Sequence, residues 1–111
     1  MTGVQTCALP ISAYLIVRAE VDPSVKEQFD IWYQNEHLPD ALKAFNAVSA
    51  KRGWSSVEPN VHIAFYEFPD LAAANTLLNS EIMQGFIKEF DRHWEGKVER
   101  SRELVEFSQV I

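Results

Sequence analysis

Hydrophobic and polar positions alternate most cleanly in AYLIVRAEV, Ala13–Val21, where Leu15, Val17, Ala19 and Val21 oppose Tyr14, Ile16, Arg18 and Glu20. A period of two puts successive side chains on opposite sides of a strand, so this segment predicts a strand whose first face lies under helices. Asp22-Pro23-Ser24 predicts a helix start, with Pro23 in the opening turn and Ser24 to Glu27 spaced as a capping box. That helix runs to about His37, and Pro39, which disfavours helical geometry at Leu38, predicts a break before a short second piece over residues 40–45. Two further strands flank a Glu58-Pro59-Asn60 turn. The first covers residues 47–57, with Lys51, Arg52, Trp54 and a bulge at Gly53; the second is VHIAFYEF, Val61–Phe68. In the second, Val61, Ile63 and Phe65 are assigned to the helix-packed face, and His62, Ala64, Tyr66 and Phe68 to the opposite one.

Pro69-Asp70 opens another helical region, LAAANTLLNS, and Ser80 is placed to cap a longer helix, Glu81–Trp94. Ile82, Met83, Phe86, Ile87, Phe90 and Trp94 form its apolar stripe at helical spacing, read as core rather than as a cofactor box. Gly96 ends that helix, and residues 97–111 supply the last strand. The order β-α-β-β-α-β is the ferredoxin-like α+β arrangement, a four-stranded antiparallel sheet with its helices on one face. On this assignment Tyr14, Ile16, Arg18, His62, Ala64 and Tyr66 share the bare face, a mixed surface too extensive to leave in water.

Composition narrows the partners. The 111-residue chain carries a net charge of −6 and no basic run, which argues against nucleic acid and anionic membrane as partners. No apolar stretch is long enough to span a bilayer, and the default location is the cytoplasm. The first eleven residues, MTGVQTCALPI, resemble the in-frame translation of a common short-read sequencing adapter. Residues 1–12 are therefore read as an artefactual tail and residues 13–111 as a single domain. The only cysteine, Cys7, falls in that tail, so neither a disulfide nor thiolate ligation holds the fold.

The densest chemistry lies between Phe29 and Pro39, FDIWYQNEHLP. At about 100° per residue, Phe29, Trp32 and Glu36 share a stripe, while Tyr33 and His37 lie four apart and project side by side. A histidine at a helix end is commonly a cap or a packing residue. The spacing Phe29, Trp32-Tyr33, His37, Pro39, however, resembles the signature of EthD-like proteins, a branch of the dimeric α/β-barrel superfamily, with the usual Tyr-Trp order reversed. The likeness in element order covers residues 13–111. It implies that two sheets pack face to face into a barrel, hence a homodimer, and that the ligands are small aromatic, polyketide-like or lactone molecules.

No His-Glu-x-x-His, paired histidine, GxSxG or glycine-rich phosphate loop is present, so metal, serine-nucleophile and dinucleotide chemistry lack support. Acid–base work without a cofactor remains. A neutral imidazole takes a proton from a carbon acid or phenol, and a cationic or phenolic donor steadies the enolate. His37 is the candidate base or acid, as the resemblance also implies, and Tyr33 its positioning or donor partner. Trp32, Arg18, His62 and Tyr66 are the candidate substrate-binding residues, although Arg18 also suits an ion pair with Glu20 and Tyr66 a dimer core. The resemblance implies cyclisation, decarboxylation, isomerisation or cofactor-free oxygenation. Two alternatives belong to other classes: a haem- or hydrophobic-ligand-binding dimer with His37 or His62 as axial ligand, and a non-catalytic, stress-associated dimer. In the latter, Arg100 and Arg102 with Glu99, Glu103 and Glu106 form a solvated or interface charge ladder.

Overall fold

The computed structural model describes residues 12–111; the adapter-like segment and Cys7 lie outside them. Four strands, β1 (Ala13–Val21), β2 (Ser49–Trp54), β3 (Val61–Phe68) and β4 (Val98–Glu106), form one antiparallel sheet in the order β2-β3-β1-β4. Helices α1 (Lys26–Trp32), α2 (Leu38–Ala44), α3 (Leu71–Leu78) and α4 (Glu81–Trp94) carry the intervening chain. The architecture is the expected α+β ferredoxin-like one, with β1, β3 and α4 at the predicted bounds. β2 is shorter than residues 47–57 and pairs with β3 in unbroken register from Ser49↔Glu67 to Trp54↔His62, so Gly53 makes no bulge.

Three local expectations are corrected. First, the helix does not break before Pro39. α1 passes through a single π turn, Tyr33–His37, closed by the Leu38 N–H on the Tyr33 carbonyl, and Pro39 sits in the first turn of α2. There its fixed φ suits the helical backbone. Second, Asp22 rather than Ser24 caps the entry, accepting the Ser24 N–H at 2.9 Å in the short 3-10 turn Pro23–Val25. Third, Ile82 is 47% exposed and stands off the buried stripe of α4.

The face assignment of β1 holds, but that of β3 is inverted. Laterally paired residues share a sheet face, and the register pairs Ala13↔Phe68, Leu15↔Tyr66, Val17↔Ala64 and Ala19↔His62. His62, Ala64, Tyr66 and Phe68 therefore lie under the helices and are buried. Ile63 and Phe65 point outward. β3 is apolar on both faces, so its alternation carried no information, and the pairing decided. The same rule corrects β4: Ala19↔Arg100, Val17↔Arg102 and Leu15↔Leu104 put the arginines on the helix side, with Glu106 opposite Ala13 at the strand's end, while Glu99 and Glu103 face away. They do not form one ladder.

Candidate active site

The site grows from the π turn. In a regular α-helix residues five apart are offset by about 140°, yet the Trp32 and His37 rings stack at 4.5 Å with 20° between their planes. The wider turn also holds Tyr33 edge-on to His37 at 4.7 Å. His37 thus lies between an indole face and a phenol ring, with Phe86 of α4 at 5.6 Å closing the side. Burial, reinforced by the charge of Arg100, pushes the imidazole down to about 4. It is neutral at pH 7 and has a nitrogen lone pair to offer.

Beneath His37, β3 contributes Tyr66 and His62. The Tyr33 and Tyr66 hydroxyls meet at 3.2 Å in the buried interior. Burial drives Tyr33 up to about 12 and Tyr66 well above the ordinary phenol value, so both are donors and neither is a phenolate at neutral pH. One hydroxyl must donate to the other, which leaves one O–H proton of the pair unused between them. His62 packs against Tyr33 at 4.4 Å and faces the Arg52 Nη1 at 3.4 Å through Nε2. A guanidinium only donates, so the His62 proton belongs on Nδ1. Arg52 is fixed in turn by Asp30, which accepts from it at 2.7 Å and from the Trp54 indole N–H at 2.8 Å. Burial and Arg52 together push His62 to about 4.

Tyr33, His37, Tyr66, Arg100 and Arg102 all line one cavity, walled by Leu15, Phe45, Phe86 and Phe90 and open towards the exposed Arg102. Its free volume is about 30 Å³, roughly one water's share of the liquid. On the other side of His37 and Phe86 a surface groove of about 150 Å³ runs between Glu36, Asp40 and Glu89. His37 and Phe86 border both spaces and form the wall between them. Known small-molecule sites span roughly 300–1,000 Å³, so a ligand must widen this cavity. Among the described residues no group of three or more His, Cys, Asp or Glu side chains is placed to hold a metal. His62 has Arg52 at its Nε2 and is sealed at 1% exposure, a poor setting for an axial ligand.

Neither a protein-family model nor a curated protein sequence matches the chain. Solved structures do. HapK from Hahella chejuensis superimposes with a TM-score of 0.65 at 18% identity, over 88% of this chain and 92% of that one. SnoaB, a cofactor-independent oxygenase from Streptomyces nogalater, gives 0.64 at 12% identity over 90% and 96%. An antibiotic biosynthesis monooxygenase gives 0.61 at 13% identity over 89% and 99%. The chain shares their fold.

Of the residues singled out in the sequence, the structure gathers Trp32, Tyr33, His37, His62 and Tyr66 on the helix side of the sheet. It leaves Arg18 on the opposite face, held by Glu20 and Glu58 at 3.0 Å each. Sequence reasoning passed over Arg100 and Arg102, because alternating charges on a strand resemble a solvated ladder. The signal was in the same alternation: Val98, Arg100, Arg102 and Leu104 share one side, and the two ends of that run are apolar. Nothing in the sequence could have linked Arg52, Asp30 and Trp54, whose side-chain bonds join β2 to α1.

Proposed function

We propose that this protein is a cofactor-independent acid–base enzyme of the monooxygenase type, acting on a small aromatic or polyketide-like phenol or enol. The carrying observation is the neutral His37 imidazole, set beside the Tyr33–Tyr66 hydroxyl pair and the Arg100 guanidinium on one cavity. In this reading His37 takes the proton from the substrate. The spare tyrosine O–H and Arg100 hold the resulting oxyanion, and Trp32 fixes the imidazole plane. The electron-rich enolate then reacts with dioxygen: a ring CH2 becomes a carbonyl, and the second oxygen atom leaves as water. Cyclisation, decarboxylation and isomerisation share the first proton transfer. The EthD-like motif, the shared fold with a cofactor-independent oxygenase and the apolar walls support the reading. Entry of the substrate requires Phe86 to swing aside and join cavity and groove.

Assembly belongs to the same proposal. The outer sheet face carries a mainly apolar hollow of about 350 Å³ lined by Tyr14, Ile16, Phe65, Val105 and Phe107 with Lys51 at its side, and a second sheet packed there makes a homodimer.

The test is oxygen uptake and product formation with a panel of hydroxylated anthrones and naphthols, comparing the native chain with His37→Ala. A general base contributes roughly 10²–10⁴-fold, so turnover is expected to fall at least 100-fold with the melting temperature little changed. A folded His37→Ala protein with full turnover would remove the mechanism. Haem titration checks the cofactor-free character: a saturable Soret band lost on replacing His37 would favour a haem-binding dimer instead.

A further inference from the structure

We infer that the cavity takes a substrate bearing a permanent carboxylate on a small aromatic ring, seated between the guanidiniums of Arg100 and Arg102. This rests on the proposed acid–base function for the position of the ring, and on independent observations for the charge.

β4 is an edge strand, whose charged side chains have free access to water on its outer side. Both arginines instead face the helices, two residues apart and opposite Ala19 and Val17. The Arg100 side chain is only 11% exposed. It lies over the Phe90 ring at 3.9 Å and meets Asp91, a half-exposed residue, at 3.3 Å. Arg102, nearer the surface, has no ion-pair partner among the described residues, and residues 1–11 contain no Asp or Glu. Arg100 thus has one carboxylate, Asp91, and the exposed Arg102 beside it has none, both on a cavity with mostly apolar walls.

That arrangement is unfavourable without a counter-ion. Like charges two residues apart on one strand face repel, a guanidinium does not discharge by losing its proton, and Arg100, unlike the exposed Arg102, is largely buried, where charges are normally paired. Burial holds both below the ordinary arginine value, and for Arg100 the charge of Arg102 adds to it. Acidic residues are not scarce, 16 against 10 basic, yet Glu99 and Glu103 on the same strand point to the other face. A carboxylate between the two forks accepts paired N–H bonds in the geometry guanidinium favours. The aromatic walls, Phe86 and Phe90, suit the attached ring, and the spare tyrosine O–H suits a second oxygen. A bound anion would also offset the Arg100 charge, which after burial is the second cause that lowers His37, and so return part of its basicity.

Isothermal titration of the native protein with salicylate, against salicylamide as its uncharged counterpart, tests this directly. Salicylate is expected to saturate one site per chain and salicylamide to bind at least tenfold more weakly. Arg102→Gln should weaken salicylate at least tenfold, and Arg102→Lys, which keeps the charge, by much less. Arg102 lies at the cavity mouth, so a thermal melt is expected to show both variants folded. Absence of salicylate binding, equal affinity for the two probes, or an unchanged affinity in Arg102→Gln would each overturn the inference. The two proposals separate through His37→Gln: salicylate binding retained with turnover also retained leaves the anion site and removes the acid–base reading. Loss of turnover in a protein that never bound salicylate does the reverse.

Discussion

At the scale of single residues, the two depressed histidines make stability depend on pH. His62 and His37 sit at about 4 in the folded chain and near 6.5 when unfolded. Above pH 6.5 both states hold neutral imidazoles and nothing is lost. As pH falls from 6.5 towards 4 the unfolded chain binds protons that the folded chain refuses, so stability drops through that window and levels off below it. For the sealed His62 the loss is on the order of 3 kcal/mol. Asp30, held below the usual carboxylate range by Arg52 and Trp54, withdraws its own contribution only at lower pH. Thermal melts between pH 7 and 4.5 should therefore show a falling melting temperature, with a smaller fall in His62→Gln. A melting temperature independent of pH across that range would contradict the buried, neutral assignment.

Among the elements, the π turn and the end of α2 show how much local chemistry was legible. The residue types of the site stretch, the Tyr33–His37 pairing and the apolar stripe of α4 follow from helical spacing alone. The contact of Trp32 with His37 does not, because a π turn adds one residue whose presence depends on how α1 and α2 both seat on the sheet. The end of α2 is more local. Asn46 adopts φ 53, with its N–H on the Lys43 carbonyl and the Ala47 N–H on the Leu42 carbonyl, a left-handed helix stop that asparagine and glycine tolerate and other residues resist. Asn46→Ala is expected to lower unfolding stability by roughly 1 kcal/mol and Asn46→Gly not to lower it. Urea midpoints of the two variants distinguish this from a side-chain contact at Asn46, which both would remove.

For the whole molecule, the sheet has one face filled by helices and one carrying Tyr14, Phe65, Val105 and Phe107, with Lys51 over the Tyr14 ring, around an uncovered hollow. Patches of this kind mark interfaces, and a charge at the centre of one is strongly unfavourable. Sedimentation is expected to give a dimer for the native chain and a monomer for Phe65→Asp; a native monomer would leave the barrel open and the hollow unexplained. Element order, fold class and the helix-facing side of β1 were determined by the sequence itself, because turn residues, caps and the periods 2 and 3.6 act over a few neighbouring residues. The face of β3, the inward turn of Arg100 and Arg102, the exclusion of Arg18 and the Asp30–Arg52–His62 chain were decided only by tertiary structure. β3 is apolar on both sides and admits either orientation, and β4 is charged on both, with only Val98 and Leu104 to hint at its buried side. Only pairing with β1, whose faces differ, fixes which side meets the helices and which residues share the cavity.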